Sequence, residues 1–142
     1  MSGDLVVMPN TARLVSEFLR DQSELSTLVE ERIYTKLPAT KAYPLMQVRR
    51  IGGSPRIGHV HWLEDVLLQI DAWGGPAEQA FTLAETARAA LMQRLAGSHD
   101  GDVTAVVTRV TVGGITEDSD DTEPKARPHA RFDAVVTVHP LA

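Results

Sequence analysis

The chain has 142 residues, 43% of them hydrophobic, which fits one globular domain, residues 1–142, with an ordinary core. Its formal net charge of −5 excludes the basic signature of non-specific DNA binding, and the absence of cysteine excludes disulfides and thiolate chemistry. The N-terminus lacks signal-peptide features, and no apolar run approaches the ~20 residues that span a bilayer. We therefore expect a soluble protein made in the cytoplasm, with no membrane partner.

Two helical segments are predicted near the N-terminus. Apolar residues recur at helical spacing between Thr11 and Arg20, and Asn10 or Thr11 is available as the N-cap. The apolar residues of Leu25–Val29 predict a short second helical turn.

A β-hairpin is predicted next. Leu45–Ile51 is a partly apolar strand expected at a sheet edge, and Gly52–His61, with three glycines and a proline, is expected to be a mobile hairpin loop. The return strand, Leu63–Trp73, alternates between a buried and a polar face. Its predicted buried face consists of Val66, Leu68, Ile70 and Ala72.

The sequence Gly74-Gly-Pro76 then breaks the strand, and Ala77–Leu95 predicts a long helix, with proline in the first turn, where its missing N–H costs nothing. The predicted inner stripe of this helix consists of Ala80, Phe81, Ala84, Ala87, Leu91 and Leu95. Gly97 is expected to end it.

Two further strands are predicted over Asp102–Ile115 and Ala130–Val138, separated by an exposed flexible loop, Thr116–His129. The predicted fold is α+β. It has a four-stranded, mainly antiparallel sheet covered on one face by the long helix and the N-terminal helical segments.

Metal ligands are sparse in the sequence. His59 and His61 would share one side of a strand, as a metal site needs, but Glu64 and Asp65 are the only carboxylates close by. We interpret the two histidines as a solvated or interface pair.

The acidic residues Asp118, Asp120 and Asp121 resemble those of a calcium loop, but the required glycine and terminal glutamate are absent. A solvated acidic loop is the better interpretation. Ser54 and Ser98 lie near histidines without a nucleophile elbow. We predict no catalytic residue, metal or cofactor.

Two groups of residues are candidates for contacts between proteins. Arg49, Arg50 and Arg56 form the main basic concentration; they either protect an edge strand from unwanted pairing or contact an acidic partner ring or passing DNA. Asp71 and Trp73, which share a strand face, are expected either to pair with arginines of the adjacent strand or to pack against a neighbouring subunit.

Four segments carry a resemblance to a known family, in their order and spacing along residues 12–139. They are Leu25–Tyr34, Tyr43–Val48, Leu68–Trp73 before the long helix, and Arg131–Val138. With these segments the chain resembles the tail terminator (tail completion) proteins of long-tailed bacteriophages.

The resemblance implies a structural virion protein rather than an enzyme, located in the neck region of the tail and assembled in the host cytoplasm. It implies a homo-oligomeric ring, commonly of six subunits, that caps the tail tube and stops its polymerisation. The implied partners are further copies of the chain, the tail tube protein and the head–tail connector or stopper protein. Genomic DNA would pass through the lumen without sequence-specific binding.

Two alternatives remain. A neck or head-completion adaptor would also form a ring, but would bind on the portal side. A small α+β hydrolase or ligand-binding domain would require His59, His61 and Asp71 to converge in a closed pocket.

Overall fold

A computed structural model describes residues 5–56, 62–75, 77–119 and 128–141. The described elements, in chain order, are α1 (Thr11–Arg20), α2 (Ser23–Val29), β1 (Ile33–Tyr34), β2 (Leu45–Arg56), β3 (Leu63–Trp73), α3 (Ala77–Arg94), β4 (Gly97–Asp100), β5 (Thr104–Val112), β6 (Thr116–Ser119) and β7 (Pro128–His139). The predicted α+β class is confirmed. None of the helices in these described ranges is long and apolar enough to cross a membrane.

The two N-terminal helices occur where the sequence predicts them. The side chain of Asn10 caps α1 by accepting a hydrogen bond from the backbone N–H of Arg13 at 3.2 Å. Helix α1 buries Leu14, Val15 and Leu19, and helix α2 buries Leu25 and Val29. Both helices therefore contribute directly to the core.

The sheet is larger than predicted. Its described strands lie in the order β1-β2-β3-β7-β5-β4, and β6 pairs with β7 beyond the end of β5. Every pairing is antiparallel except that of β1 with β2. The prediction of four strands is wrong because β1, β4 and β6 have only two, four and four residues. Strands this short show no alternating pattern in the sequence.

The first hairpin corrects two predictions. Strand β2 is an edge strand only in part, since β1 pairs with its residues Met46 and Gln47 while, among the described strands, the rest of β2 pairs with β3 alone. The predicted loop is also partly wrong, because β2 continues to Arg56, with a bulge between Arg50 and Gly52. Residues 57–61 lie outside the described part of the chain. The return strand β3 has the predicted bounds.

The structure explains why one position of this hairpin requires glycine. Gly53 has a φ of +124°, and a Cβ built there would collide with the carbonyl oxygen of Asp65 on β3. Glycine therefore allows β2 and β3 to stay paired here, where the sequence had suggested a loop.

The core lies between the three helices and one face of the sheet. The predicted face of β3 (Val66, Leu68, Ile70, Ala72) is buried, and the register sets against it the buried residues Val136, Ala134, Phe132 and Ala130 of β7. Helix α3 packs over this face, and it starts so close to Gly74 that a Cβ there would lie 2.7 Å from the backbone nitrogen of Ala80.

Two details of the long helix differ from expectation. Phe81 does not belong to the inner stripe: it is 42% exposed, because the buried stripe runs through Ala80, Leu83, Ala84 and Ala87. Gly97 does not cap the helix, which ends at Arg94; with a φ of +133° it is the first residue of β4.

The last part of the chain also contains more strand than predicted. Strand β5 covers the middle of the predicted third strand, and β7 extends the predicted fourth strand at both ends. The predicted second loop is partly wrong, because Thr116–Ser119 pairs with residues 128–131. Residues 120–127 lie outside the described residues.

Candidate functional site

The face of the sheet opposite the helices carries polar side chains. Because side chains alternate along a strand, the burial of Ile70 and Ala72 in the core directs their neighbours on β3 to the opposite face. The register then places the equivalent residues of β7 and β2 beside them. We call this set the polar face: Arg49, Gln69, Asp71, Trp73, His129, Arg131 and Asp133.

Asp71 is the centre of the polar face and is only 2% exposed. Nε2 of His129 lies 2.7 Å from its Oδ1, and Nη2 of Arg49 lies 3.5 Å from its Oδ2. The same Nη2 donates a 2.6 Å hydrogen bond to Oε1 of Gln69. Both oxygens of the buried carboxylate therefore have a partner, as a buried charge requires.

Trp73 and His129 stack on each other. Their ring centroids are 4.7 Å apart and their planes differ by 7°. Because a carboxylate only accepts, the Nε2–H of His129 donates to Asp71 while its ring lies on the indole. The Asp71, Trp73 and His129 side chains thus form one connected cluster across β3 and β7.

Three of the sequence-predicted contact residues are brought together here, namely Arg49, Asp71 and Trp73. The predicted pairing of Asp71 with an arginine of the adjacent strand is confirmed. His129 was missed, since it was the last residue of a predicted loop. Its role depends on the register of β7 against β3, which no local pattern reveals.

The basic concentration predicted at Arg49 and Arg50 is divided between two faces. Arg50 points away from the polar face and forms a two-pronged ion pair with Glu64, at 3.1 and 3.4 Å. Consecutive strand residues point to opposite sides, so adjacent arginines in the sequence do not make one patch.

The other residues predicted to make contacts lie partly or wholly outside the part of the chain that the structure describes. Arg56 and Asp118 are described in their backbones only, at the end of β2 and within β6. His59, His61, Asp120 and Asp121 lie outside the described residues. Among the residues that are described, no three histidine, aspartate or glutamate side chains cluster as metal ligands do.

A second polar contact joins α2 to α3. Arg94 forms a two-pronged ion pair with Glu24, with distances of 2.8 and 3.0 Å, at a cleft of about 310 Å³ between the two helices. The hydrogen bonds from the Arg94 guanidinium lower the pKa of the Glu24 carboxyl from 4.5 to about 2. Sequence spacing does not predict this pair, because it joins different helices.

A third feature lies where β6 meets the start of α3. Glu78, Phe81, Thr82 and Glu117 line an open cavity of about 440 Å³. All four residues are exposed. The cavity therefore presents an aromatic ring and two carboxylates to solvent.

Comparison with known proteins now gives the family. A family model described as tail completion protein gp17 matches residues 13–137. The chain belongs to this family. Comparison with curated proteins finds no match. Among solved structures, a chain of the "Virion of native gene transfer agent (GTA) particle" is similar at 18% identity, with a TM-score of 0.56, covering 88% of this chain and 91% of that chain.

Membership of the tail completion family confirms the resemblance drawn from the sequence and makes the chain a structural tail protein. The four segments that carried the resemblance include β1, the start of β2, the end of β3 and most of β7. These strands are neighbours in the order β1-β2-β3-β7. The recognisable sequence of this tail completion protein therefore covers four neighbouring strands of its sheet, together with most of α2.

Proposed function

We propose that this tail completion protein, folding as a single domain over residues 1–142, forms a homo-oligomeric ring of six copies on the end of the tail tube. The ring caps the tube, stops its polymerisation and offers a surface to the head–tail connector or stopper protein. The observation that carries the proposal is the family match over residues 13–137.

The chemistry of the chain supports a role through shape and surface. The buried carboxylate of Asp71 on β3 contacts Arg49 on β2 and His129 on β7, so its polar contacts join three neighbouring strands. The net charge of −5 supports a lumen through which genomic DNA passes without being gripped.

We further propose that subunit or partner contacts are made at the sequence-predicted positions. These are Arg49, Arg50, Arg56, His59, His61, Asp71, Trp73, Asp118, Asp120 and Asp121. Asp71 acts indirectly, because at 2% exposure it positions Arg49 and His129 instead of reaching a partner itself.

Negative-stain electron microscopy and native mass spectrometry of the purified protein, alone and with tail tube protein, test the proposal. We expect closed rings with a central hole, either free or on tube ends. A protein that stays monomeric at high concentration and is unaffected by tube protein contradicts it. Rings that do not bind the ends of the tail tube but bind on the portal side would indicate a neck or head-completion adaptor instead.

A further inference from the structure

The two margins of the sheet reach the same end of the molecule. Leu45 of β2 pairs with Trp73 of β3, Trp73 pairs with His129 of β7, and His129 pairs with Asp118 of β6. This single row runs from the β1–β2 side of the sheet to β6. Among the described strands, β6 pairs with β7 alone and β1 with β2 alone, so each has one side without a strand partner.

The margin at β6 is acidic and partly aromatic. It consists of Glu117 with Glu78, Phe81 and Thr82, which line the 440 Å³ cavity, and we call it the acidic margin. No cation among the described residues forms an ion pair with Glu78 or Glu117. An exposed aromatic ring that lines one cavity with two carboxylates suits a lysine, whose stem packs on the ring while its ammonium contacts the charges.

The opposite margin is basic. The connection 35–44 between β1 and β2 carries Lys36 and Lys41, both exposed and without an ion pair to any described residue. We call this segment the lysine connection. Its two ends are fixed, because Arg32 Nε donates to the carbonyl of Pro44 at 2.8 Å and Gln47 donates to the carbonyl of Thr35 at 3.2 Å.

We propose that the acidic margin of one copy receives the lysine connection of the next copy. The inference rests on the proposed ring and assigns its subunit contact. Two different surfaces that meet head to tail form a heterologous interface, which closes into a ring when successive copies are related by rotation without translation. Glu117 lies on the neighbouring row, which continues through Ala130, Ala72 and Met46 to Ile33, just before the lysine connection. The two margins therefore meet the sheet at the same level along the strands, and we infer that their contact needs no such translation. Opposite charges fix the register between the copies.

Charge reversal tests this contact. One variant, Glu78→Lys with Glu117→Lys, reverses the acidic margin; a second, Lys36→Glu with Lys41→Glu, reverses the lysine connection. Each variant alone brings like charges together at every junction, and we expect at least a tenfold loss of rings by native mass spectrometry. Asp21→Lys with Asp100→Lys is a matched control for the first variant, because it makes the same change of net charge outside both margins. We expect this control to leave the rings intact.

The decisive measurement is the mixture of the two reversed variants. Every junction between unlike copies is then either native or fully reversed, so we expect rings in which the two variants alternate. A single chain carrying all four reversals should also recover rings. Circular dichroism tests whether each variant is folded. A charge-reversed variant that does not fold is replaced by the variant with glutamine at the same two positions.

The outcomes separate this inference from the proposed function. The proposed contact is overturned if each reversed variant still forms rings like those of the wild type. It is also overturned if the two variants are folded but do not assemble when mixed. Neither result contradicts the ring itself. A wild-type protein that forms no ring, with or without tube protein, overturns both proposals.

Discussion

His129 is held between two residues of β3: its ring stacks on Trp73 at a centroid distance of 4.7 Å, and its Nε2 lies 2.7 Å from Oδ1 of Asp71. The cluster joins the two central strands at the end where α3 begins. It thereby gives the polar face a fixed arrangement at the same end as the two sheet margins.

Removal of the carboxylate at the centre of this cluster should cost stability. We expect Asp71→Ala to lower the free energy of unfolding by about 1–3 kcal/mol, because the largely buried His129 loses its acceptor and the half-exposed Arg49 loses its ion-pair partner. Asp71→Asn should cost less, because its amide oxygen still accepts from His129. Urea unfolding of both variants checks the order, and an equal cost for the two would contradict the assigned hydrogen bond.

Truncation of α3 at its buried stripe should be more severe. Leu91 is fully buried, and we expect Leu91→Ala to lower the free energy of unfolding by about 2–5 kcal/mol through lost apolar contact and a residual cavity. The adjacent Met92 is 51% exposed, so Met92→Ala is a matched control with an expected effect within about 0.5 kcal/mol. Denaturant melts of the two variants that coincide would show that the helix faces the other way.

The two adjacent glycines of β2 should behave differently. We expect Gly53→Ala to destabilise the fold by about 1–3 kcal/mol, because its φ is +124° and its new Cβ would collide with the carbonyl of Asp65. Gly52→Ala places its Cβ 3.8 Å from Leu67, an ordinary contact, and should change stability by no more than about 0.5 kcal/mol. Thermal melts measure both, and a harmless Gly53→Ala would mean that β2 leaves the sheet before this residue.

The pair between α2 and α3 predicts a pH dependence. The pKa of Glu24 falls from 4.5 to about 2 on folding because of Arg94, so the folded chain keeps this carboxylate ionised to lower pH than the unfolded chain. The stabilisation by the pair is therefore complete above about pH 4.5 and is lost as the pH falls towards 2.

A comparison of wild type with Glu24→Gln measures this contribution. The stability advantage of wild type should shrink between pH 6 and pH 3, and should also shrink with added salt, because the pair is exposed. An advantage that stays constant across this pH range would exclude the ion pair as its source.

The sequence predicted those elements that are long enough to show a period. The bounds of α1 and β3 agree with the structure at both ends, and α3 differs by one residue. Strands β1, β4 and β6 are too short for their alternation to be recognised in the sequence, and their existence depends on the neighbours that they pair with. Phe81 was misassigned because a position one residue away on a helix already turns by about 100°.

The candidate site was predicted only as far as one strand could show it. The alternation along β3 identified Asp71 and Trp73 as sharing a face, and the arginines of the adjacent strand as partners. His129 is separated from Asp71 by 58 residues, and only strand register brings the two together. The acidic margin likewise combines α3 with β6, which is contact information that a linear sequence does not carry.

The position of β7 in the sheet has a consequence for synthesis. This strand pairs with β3, β5 and β6, yet it is the last of the described strands to leave the ribosome. Until residues 128–139 emerge, β3 has no partner on one side and β5 pairs only with the short β4, so the nascent chain cannot complete its core. Each copy thus completes its sheet only after residues 128–139 have been made, which delays encounters between folded copies until that point of translation.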